Sequence, residues 1–377
     1  MKLEVAGASH NQGLVEFYKS FPTPGLVQLK VDRGQNFYKP YELQSDRHIT
    51  YVMQDEESGK IEGSASFVIN NVLLEGQISP VAFGRDLRIS SNRKAILSWA
   101  HHFLPAMAEI EKKFEIAHFF SILNMAEAKA LNAFVRPHQV RRPLPRYFLF
   151  RRFNLVSLHG QFPWANPPLA SVHIRRGSFR QQDALVGYLL RKSKERDLST
   201  IWDRQSFEDK LKRWEGLNLE NFLIAYDSSE NIVGCVAPWS SRQVQEFVPL
   251  QYSLVAHNFR QFLKFGKLLG WTRTLTKPIT RLQMEAPMHF RYLSFLNADN
   301  EDIFDNLAHA AYNEAEDNEF LVYTQMRSDL HLRKPPGWVG ARIPYGLYCM
   351  VPPDRQAPSF LHPNNENHVE IEPFFVG

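Results

Sequence analysis

Short apolar runs alternate with longer amphipathic stretches along this 377-residue chain, and their order predicts its elements. The alternation at Lys2-Leu3-Glu4-Val5 predicts a strand, and the stretch from Asn11 to Lys19 a helix. A loop with Pro22 and Pro24 follows, then a strand pair over 48–54 and 61–70 and a further strand over 86–89. From Arg93 to Lys113, the residues Ile96, Leu97, Trp99, Ala100, Phe103, Leu104 and Met107 keep the i, i+3, i+4, i+7 spacing of one apolar helix face. An apolar strand over 117–123, a helix over 126–134 and a strand over 146–150 complete this first set. Strands leading, with helices inserted, imply a mixed α/β sheet covered on both faces.

The pattern then starts again. Gln12 to Phe17 falls on Asp183 to Tyr188, each after a strand-like run, and 185 − 14 gives an offset of 171. Tyr51-Val52-Met53, Glu56, Ser58, Ile61 and Gly63 fall on Phe222-Leu223-Ile224, Asp227, Ser229, Ile232 and Gly234, where 222 − 51 again gives 171. Each segment reads as strand, polar turn and strand, the signature of a hairpin. Two matches in one order at one offset predict a duplicated unit.

Beyond Gly234 the register shifts: 86–89 corresponds loosely to 292–296, 117–123 to 319–324, and 146–150 to 344–348. The extra length of the second copy lies mainly within 235–290, an insertion rich in Lys, Arg and aromatic residues. The expected organisation is an N-terminal domain over 1–155, a linker over 156–171 containing Pro167-Pro168, a C-terminal domain over 172–352 and a tail over 353–377 that docks by its final apolar residues.

Composition refines this only slightly. A length of 377 residues suits two or three domains, and 44% apolar with 22% charged residues excludes wholesale disorder. The net charge of +4, from 44 basic and 40 acidic residues, is too balanced to be by itself an electrostatic footprint for nucleic acid or membrane. Cys235 and Cys349 stand far apart, which excludes a disulfide framework and zinc-type spacing, so no metal is expected. The N-terminus lacks the apolar region of a signal peptide and no run of about 18 apolar residues occurs, so a cytoplasmic protein with no membrane partner is expected.

At this point the first copy resembles the GNAT superfamily of acyl-CoA N-acyltransferases, whose unit has this strand and helix order. Gly84-Arg85-Asp86-Leu87-Arg88-Ile89 running into Ser90 to Leu97 is similar to the family's fourth strand, cofactor loop and helix; Ile122-Leu123-Asn124, with Ala128 and Leu131, is similar to its fifth strand and the helix beyond. The resemblance covers most of 1–155 and, more weakly, 172–352. It implies two tandem GNAT-like mixed-sheet domains with helices on both faces, acetyl-CoA or another acyl-CoA as co-substrate, and a small-molecule or peptide amine as acceptor. The implied cofactor contacts are Leu87, Arg88, Ile89, Arg93, Lys94, Ala95, Ile96 and Asn124. A helix N-terminus and its dipole suit a pyrophosphate. The family's loop carries glycines, whereas Arg88 to Ile96 contains none, although Arg93 and Lys94 keep positive charge there. In the second copy, Asp299, Glu301, Asp302 and Asp305 occupy the matching loop and repel an anion.

Acyl transfer to an amine needs a base, an oxyanion donor and an acid for the thiolate. The resemblance implies a fourth-strand backbone N–H near Leu87 to Ile89 as the donor. Asp86 and Glu75 are the candidate bases, with an ion pair to Arg85 or Arg88 as the other role for Asp86. The family's tyrosine acid would follow Leu131, where this chain has Asn132, leaving Tyr147 as a substitute by type. Two readings of other classes stay open: a noncatalytic tandem that binds a ligand or protein, and nucleic-acid binding through the basic and aromatic stretch Arg136 to Tyr147 with Arg151 and Arg152.

Overall fold

A computed structural model gives the fold and describes residues 1–127, 131–135, 144–279, 285–362, 365 and 368–376. Ala128, part of the predicted helix 126–134, and the basic run 136–143 lie outside the described residues.

The first set of elements is β1 (Lys2–Val5), α1 (Asn11–Lys19), β2 (Val27–Asp32), α2 (Lys39–Gln44), β3 (His48–Gln54), β4 (Ile61–Leu74), β5 (Gln77–Ile89), α3 (Arg93–Phe114), β6 (His118–Asn124) and β7 (Arg146–Gln161). The second is β8 (His173–Arg176), α4 (Gln182–Ser193), β9 (Arg196–Asp197), α5 (Arg204–Arg213), β10 (Leu223–Tyr226), β11 (Ile232–Trp239), β12 (Glu246–Tyr252), α6 (Leu254–Leu268), β13 (Phe290–Ala298), α7 (Glu301–Glu314), β14 (Phe320–Met326), β15 (Trp338–Val351) and β16 (His368–Val369). No helix among the described residues is long and apolar enough to cross a membrane.

The chain forms two compact units: 1–23, 30–152 and 345–366 make one, and 24–29, 153–344 and 367–377 the other. In the first unit the strand order is β1-β3-β4-β5-β6-β15, with β5 and β6 parallel and the other pairs antiparallel. In the second it is β8-β10-β11-β13-β14-β7, with β13 and β14 the parallel pair. Each order is the other's repeat. The closing strand of each set completes the other unit: β15 pairs with β6 from Tyr345–Asn124 to Met350–Phe119, and β7 pairs with β14 from Phe153–Met326 to Leu158–Leu321. Residues 156–161, expected in a linker, are therefore strand, because β7 runs on past the expected boundary at 155.

The repeat extends to side-chain packing. Leu14 and Leu185 are both fully buried, and Val15 and Val186 are both 8% exposed. In the hairpins, Met53 faces Gly63 and Ala225 faces Gly234, so β4 and β11 repeat at 171 as expected, whereas β3 and β10 repeat at 172, Tyr51-Val52-Met53 falling on Leu223-Ile224-Ala225, one residue beyond the expected match. A shorter turn accounts for the slip: residues 55–60 in the first copy and 227–231 in the second.

Alternate residues of β3 and β4 (Ile49, Tyr51, Met53; Ala65, Phe67, Ile69) pack with Ala95, Trp99, Phe103, Met107 and Ile110 of α3. Each large apolar side chain so buried contributes about 1.5–3 kcal/mol. The buried face of α3 leaves out Ile96 and Leu97, which lie in its first turn and are 50% and 47% exposed. In the second unit Ile303, Phe304, Leu307 and Ala311 of α7 pack with Leu223, Ala225, Val236 and Leu293.

Candidate functional site

The strands β5 and β13 carry the same irregularity at the same place. Against β4, Ser64 pairs with Arg88 and Ser66 with Arg85, so Asp86 and Leu87 together oppose one residue. Against β11, Cys235 pairs with Asn297 and Ala237 with Ser294, so Phe295 and Leu296 do likewise. These are β-bulges, and each places a non-glycine residue at positive φ, 50° for Asp86 and 54° for Phe295. Each bulge follows the first residue of the parallel pairing, Val81 or Phe290, by five positions (86 − 81 and 295 − 290). Parallel pairing ends at Gly84–Ser121 in one unit and at Tyr292–Val322 in the other, just before the bulge. Both units thus open a cleft where two parallel strands part.

In the first unit the bulge side chain is held by a largely buried charge network. The Asp86 carboxylate accepts from Arg33 Nη2 at 2.6 Å, Tyr41 Oη at 2.6 Å and Tyr18 Oη at 2.7 Å. The Arg33 guanidinium lies over the rings of Tyr18, Phe37 and Tyr41, its centre 4.2–4.9 Å from theirs. Burial alone would raise the Asp86 carboxyl, but the guanidiniums of Arg33, Arg88 and Arg85 and the Tyr41 hydroxyl outweigh it and hold it well below the usual carboxylate range. A carboxylate saturated in this way is a poor proton acceptor. A direct ion pair joins it to Arg33, 53 residues away, and the neighbouring Arg85 and Arg88 expected from sequence also act on it by charge. Three guanidiniums thus act on this one carboxylate.

Leu87 is the second bulge residue, Arg88 and Ile89 continue the strand beyond it, and Arg88 Nη2 donates to Thr23 Oγ1 at 3.3 Å. Asn92 caps α3, its side chain accepting from Lys94 N at 2.9 Å. Arg93, Lys94 and Ile96 are exposed at this helix start, and Lys94 Nζ lies 3.6 Å from Asp55; Ala95 is buried beneath them. Asn124 ends β6 and accepts from Ala126 N at 2.9 Å.

Glu75 does not join this group. It sits with Gly76 in the tight β4–β5 turn, both at positive φ, and accepts from Ser359 Oγ. The ten strand residues from Gln77 to Asp86 put it about 30 Å from the bulge. The sequence reading started the strand at 86, whereas β5 starts at Gln77, so Glu75 is at the wrong end. Tyr147 is packed among Phe134 and Tyr348 at 5.5 and 6.5 Å, and burial pushes its hydroxyl well above the ordinary range.

In the second unit the C-terminal strap fills the cleft. Glu372 accepts from Ser294 Oγ at 2.7 Å and from the bulge amide, Phe295 N, at 3.5 Å. Thr324 Oγ1 donates to Ile371 O at 2.5 Å, and Glu370 N to Asp197 O at 3.0 Å. Phe374, 1% exposed, is inserted among Trp239, Trp214 and Tyr292 with ring centroids 5.1–5.8 Å apart. The space left between strap and strands is about 30 Å³, room for about one water. Burial pushes the Glu372 carboxyl up to about 7 and the Lys210 ammonium beside it down to about 8.

No family model matches the sequence, and no curated protein matches it. Solved structures do match in shape. Two structures of Saccharomyces cerevisiae N-myristoyltransferase with bound myristoyl-CoA align over 98% of this chain, and over 86% and 89% of theirs, at 11% and 12% identity, both with a TM-score of 0.53. This is the GNAT fold, in two tandem copies. A conserved protein of Enterococcus faecalis also aligns, over 93% of this chain and 72% of its own at 12% identity, but its TM-score of 0.48 is too low to build on. On the GNAT fold, the parted parallel strands and the bulge described above fall on the strand that the sequence resemblance singled out. The bulges themselves and Arg33 gave no sequence signal, since neither Asp86 nor Phe295 is the glycine that positive φ favours.

Proposed function

We propose that the protein is an acyl-CoA-dependent N-acyltransferase whose first copy binds the co-substrate and acts on a small-molecule or peptide amine. One observation carries the reading: in the first unit, a cleft between parting parallel strands, with a bulge, leads directly into a capped helix start bearing Arg93 and Lys94. Positive charge at a helix start suits the coenzyme A phosphates, and an apolar acyl chain suits the space between strands. The backbone of Leu87 to Ile89 is assigned to the thioester, and Asn124 to the far side of the cleft. Asp86, locked to Arg33, is assigned to holding the bulge in shape rather than to accepting a proton. The second cleft, filled by Glu372 and Phe374, is assigned a structural role.

Thermal-shift measurements with acetyl-CoA and longer acyl-CoAs test this. Ligand at 100 times its Kd raises stability by about 2.7 kcal/mol, and Arg93→Glu with Lys94→Glu abolishes the shift. Absence of any shift in the unaltered protein overturns the acyltransferase reading in favour of a noncatalytic tandem.

A further inference from the structure

The insertion that lengthens the second copy contains α6, a helix with two apolar faces. One packs inward: Ala256, Arg260, Leu263 and Gly266 are buried, and Thr272 Oγ1 closes on Leu263 O at 2.7 Å beside Gly266. The other points to solvent. Leu254, Val255, Phe265 and Leu268 are 77%, 67%, 60% and 85% exposed, with Phe262 at 41% between them. At 100° per residue these side chains form one stripe opposite the buried face. Trp164, itself 68% exposed, extends it: its ring stacks on Phe162 at 4.5 Å and leans on Trp271, and Phe162 in turn meets Phe262. Monomeric proteins seldom leave so continuous an apolar surface without a use for it.

Charge decides what covers it. Between Glu246 and Glu285 the sequence has no Asp or Glu, against six Lys and Arg. Arg260 and Arg273 of these turn inward, to Leu275 O and to the carbonyls of Tyr312 and Glu319, while Lys264, Lys267 and Lys277 are exposed. A second copy docking face to face would set these lysines against their own counterparts. An anionic bilayer would pair them. Tryptophan and phenylalanine beside lysine is also the composition that settles at the boundary of headgroups and acyl chains.

We propose that the outward face of α6, with Trp164, docks on an anionic lipid bilayer surface, its apolar side chains entering the interface and Lys264 and Lys277 meeting the headgroups. The net charge of +4 concealed this, because the acidic residues lie elsewhere in the chain. The inference stands apart from the acyl-transfer reading and uses none of its residues.

Vesicle flotation with the full chain tests it, comparing phosphatidylcholine vesicles with vesicles that also contain phosphatidylserine. The protein floats with the anionic vesicles at low salt and much less at high salt. Lys264→Glu, a change of two charges, weakens this partition by roughly 30-fold, and Phe265→Glu with Leu268→Glu abolishes it, both with an unchanged melting temperature because all three side chains are exposed. Failure to float with anionic vesicles at low salt overturns the proposal. So does a dimer in sedimentation analysis that Phe265→Glu with Leu268→Glu converts to monomer without any vesicle binding, which would assign the face to a second copy.

Discussion

The two bulges share a backbone and differ in what stabilises them. At Asp86 the positive φ is held by a buried guanidinium and two tyrosine hydroxyls; at Phe295 it is held by aromatic packing and the chain's own C-terminus. At the first, three guanidiniums act on one carboxylate, whereas at the second the strap's Glu372 stands beside both Lys210 and Glu370. One architecture, used twice, thus holds a buried ion-pair network in one copy and a socket for the chain's own tail in the other. Duplication fixes the backbone, and side chains decide the use.

The largest effect is expected from breaking the first bulge. Arg33→Met leaves Asp86 buried without its cation and destabilises the first unit by about 3–5 kcal/mol, read as a lower denaturation midpoint. An unchanged midpoint would show that the tyrosines suffice. The second bulge is broken from the strap. Phe374→Ala empties a socket lined by two tryptophans and a tyrosine and costs about 3 kcal/mol, with amide exchange rising over 368–376 before the rest of the unit. If exchange there stays slow, the strap is held by something other than this ring.

The paired glycines sharpen the comparison at smaller scale. A Cβ on Gly234 would lie 2.6 Å from Ile303 Cγ2 and 3.1 Å from Asn297 O, whereas one on Gly63 would meet first the mobile Met53 Cε at 3.0 Å. Gly234→Ala should cost about 1–3 kcal/mol and Gly63→Ala clearly less, as measured by denaturant melts. Equal costs would argue against helix α7 being the tighter neighbour.

A further effect is a pH dependence of the strap. Burial raises Glu372 in the docked state from its ordinary 4.5 to about 7. The docked form therefore prefers the protonated carboxyl, and this contribution is full below about pH 4.5 and declines as pH rises to about 7. Glu370, raised by the same burial, adds with the same sign, while Lys210, lowered to about 8, stays protonated throughout this window. Amide exchange over 368–376, corrected for its intrinsic rate, should rise between pH 5 and 7, and Glu372→Gln should flatten most of that rise.

How much of this was legible from sequence follows from what sets each feature. Side-chain period and turn residues show in local sequence, so the helix at Asn11–Lys19 and the hairpins could be placed, and the offset of 171 brought out the duplication. The start of β5 was missed because Pro80, Gly84 and Arg85 interrupt its apolar alternation. That error moved Glu75 to the wrong end of a strand. Arg33 could not be foreseen as the partner of Asp86, since a contact across 53 residues leaves no local trace. Nor could the exchange of closing strands, because β7 and β15 read alike whichever unit they join.

The central claim is that the two clefts are unequal, and a calorimetric titration with an acyl-CoA tests it most directly. The account predicts one molecule bound per chain, lost in Arg93→Glu with Lys94→Glu and retained in Glu372→Gln. Two molecules per chain, or binding that survives the first substitution and fails with the second, would contradict it.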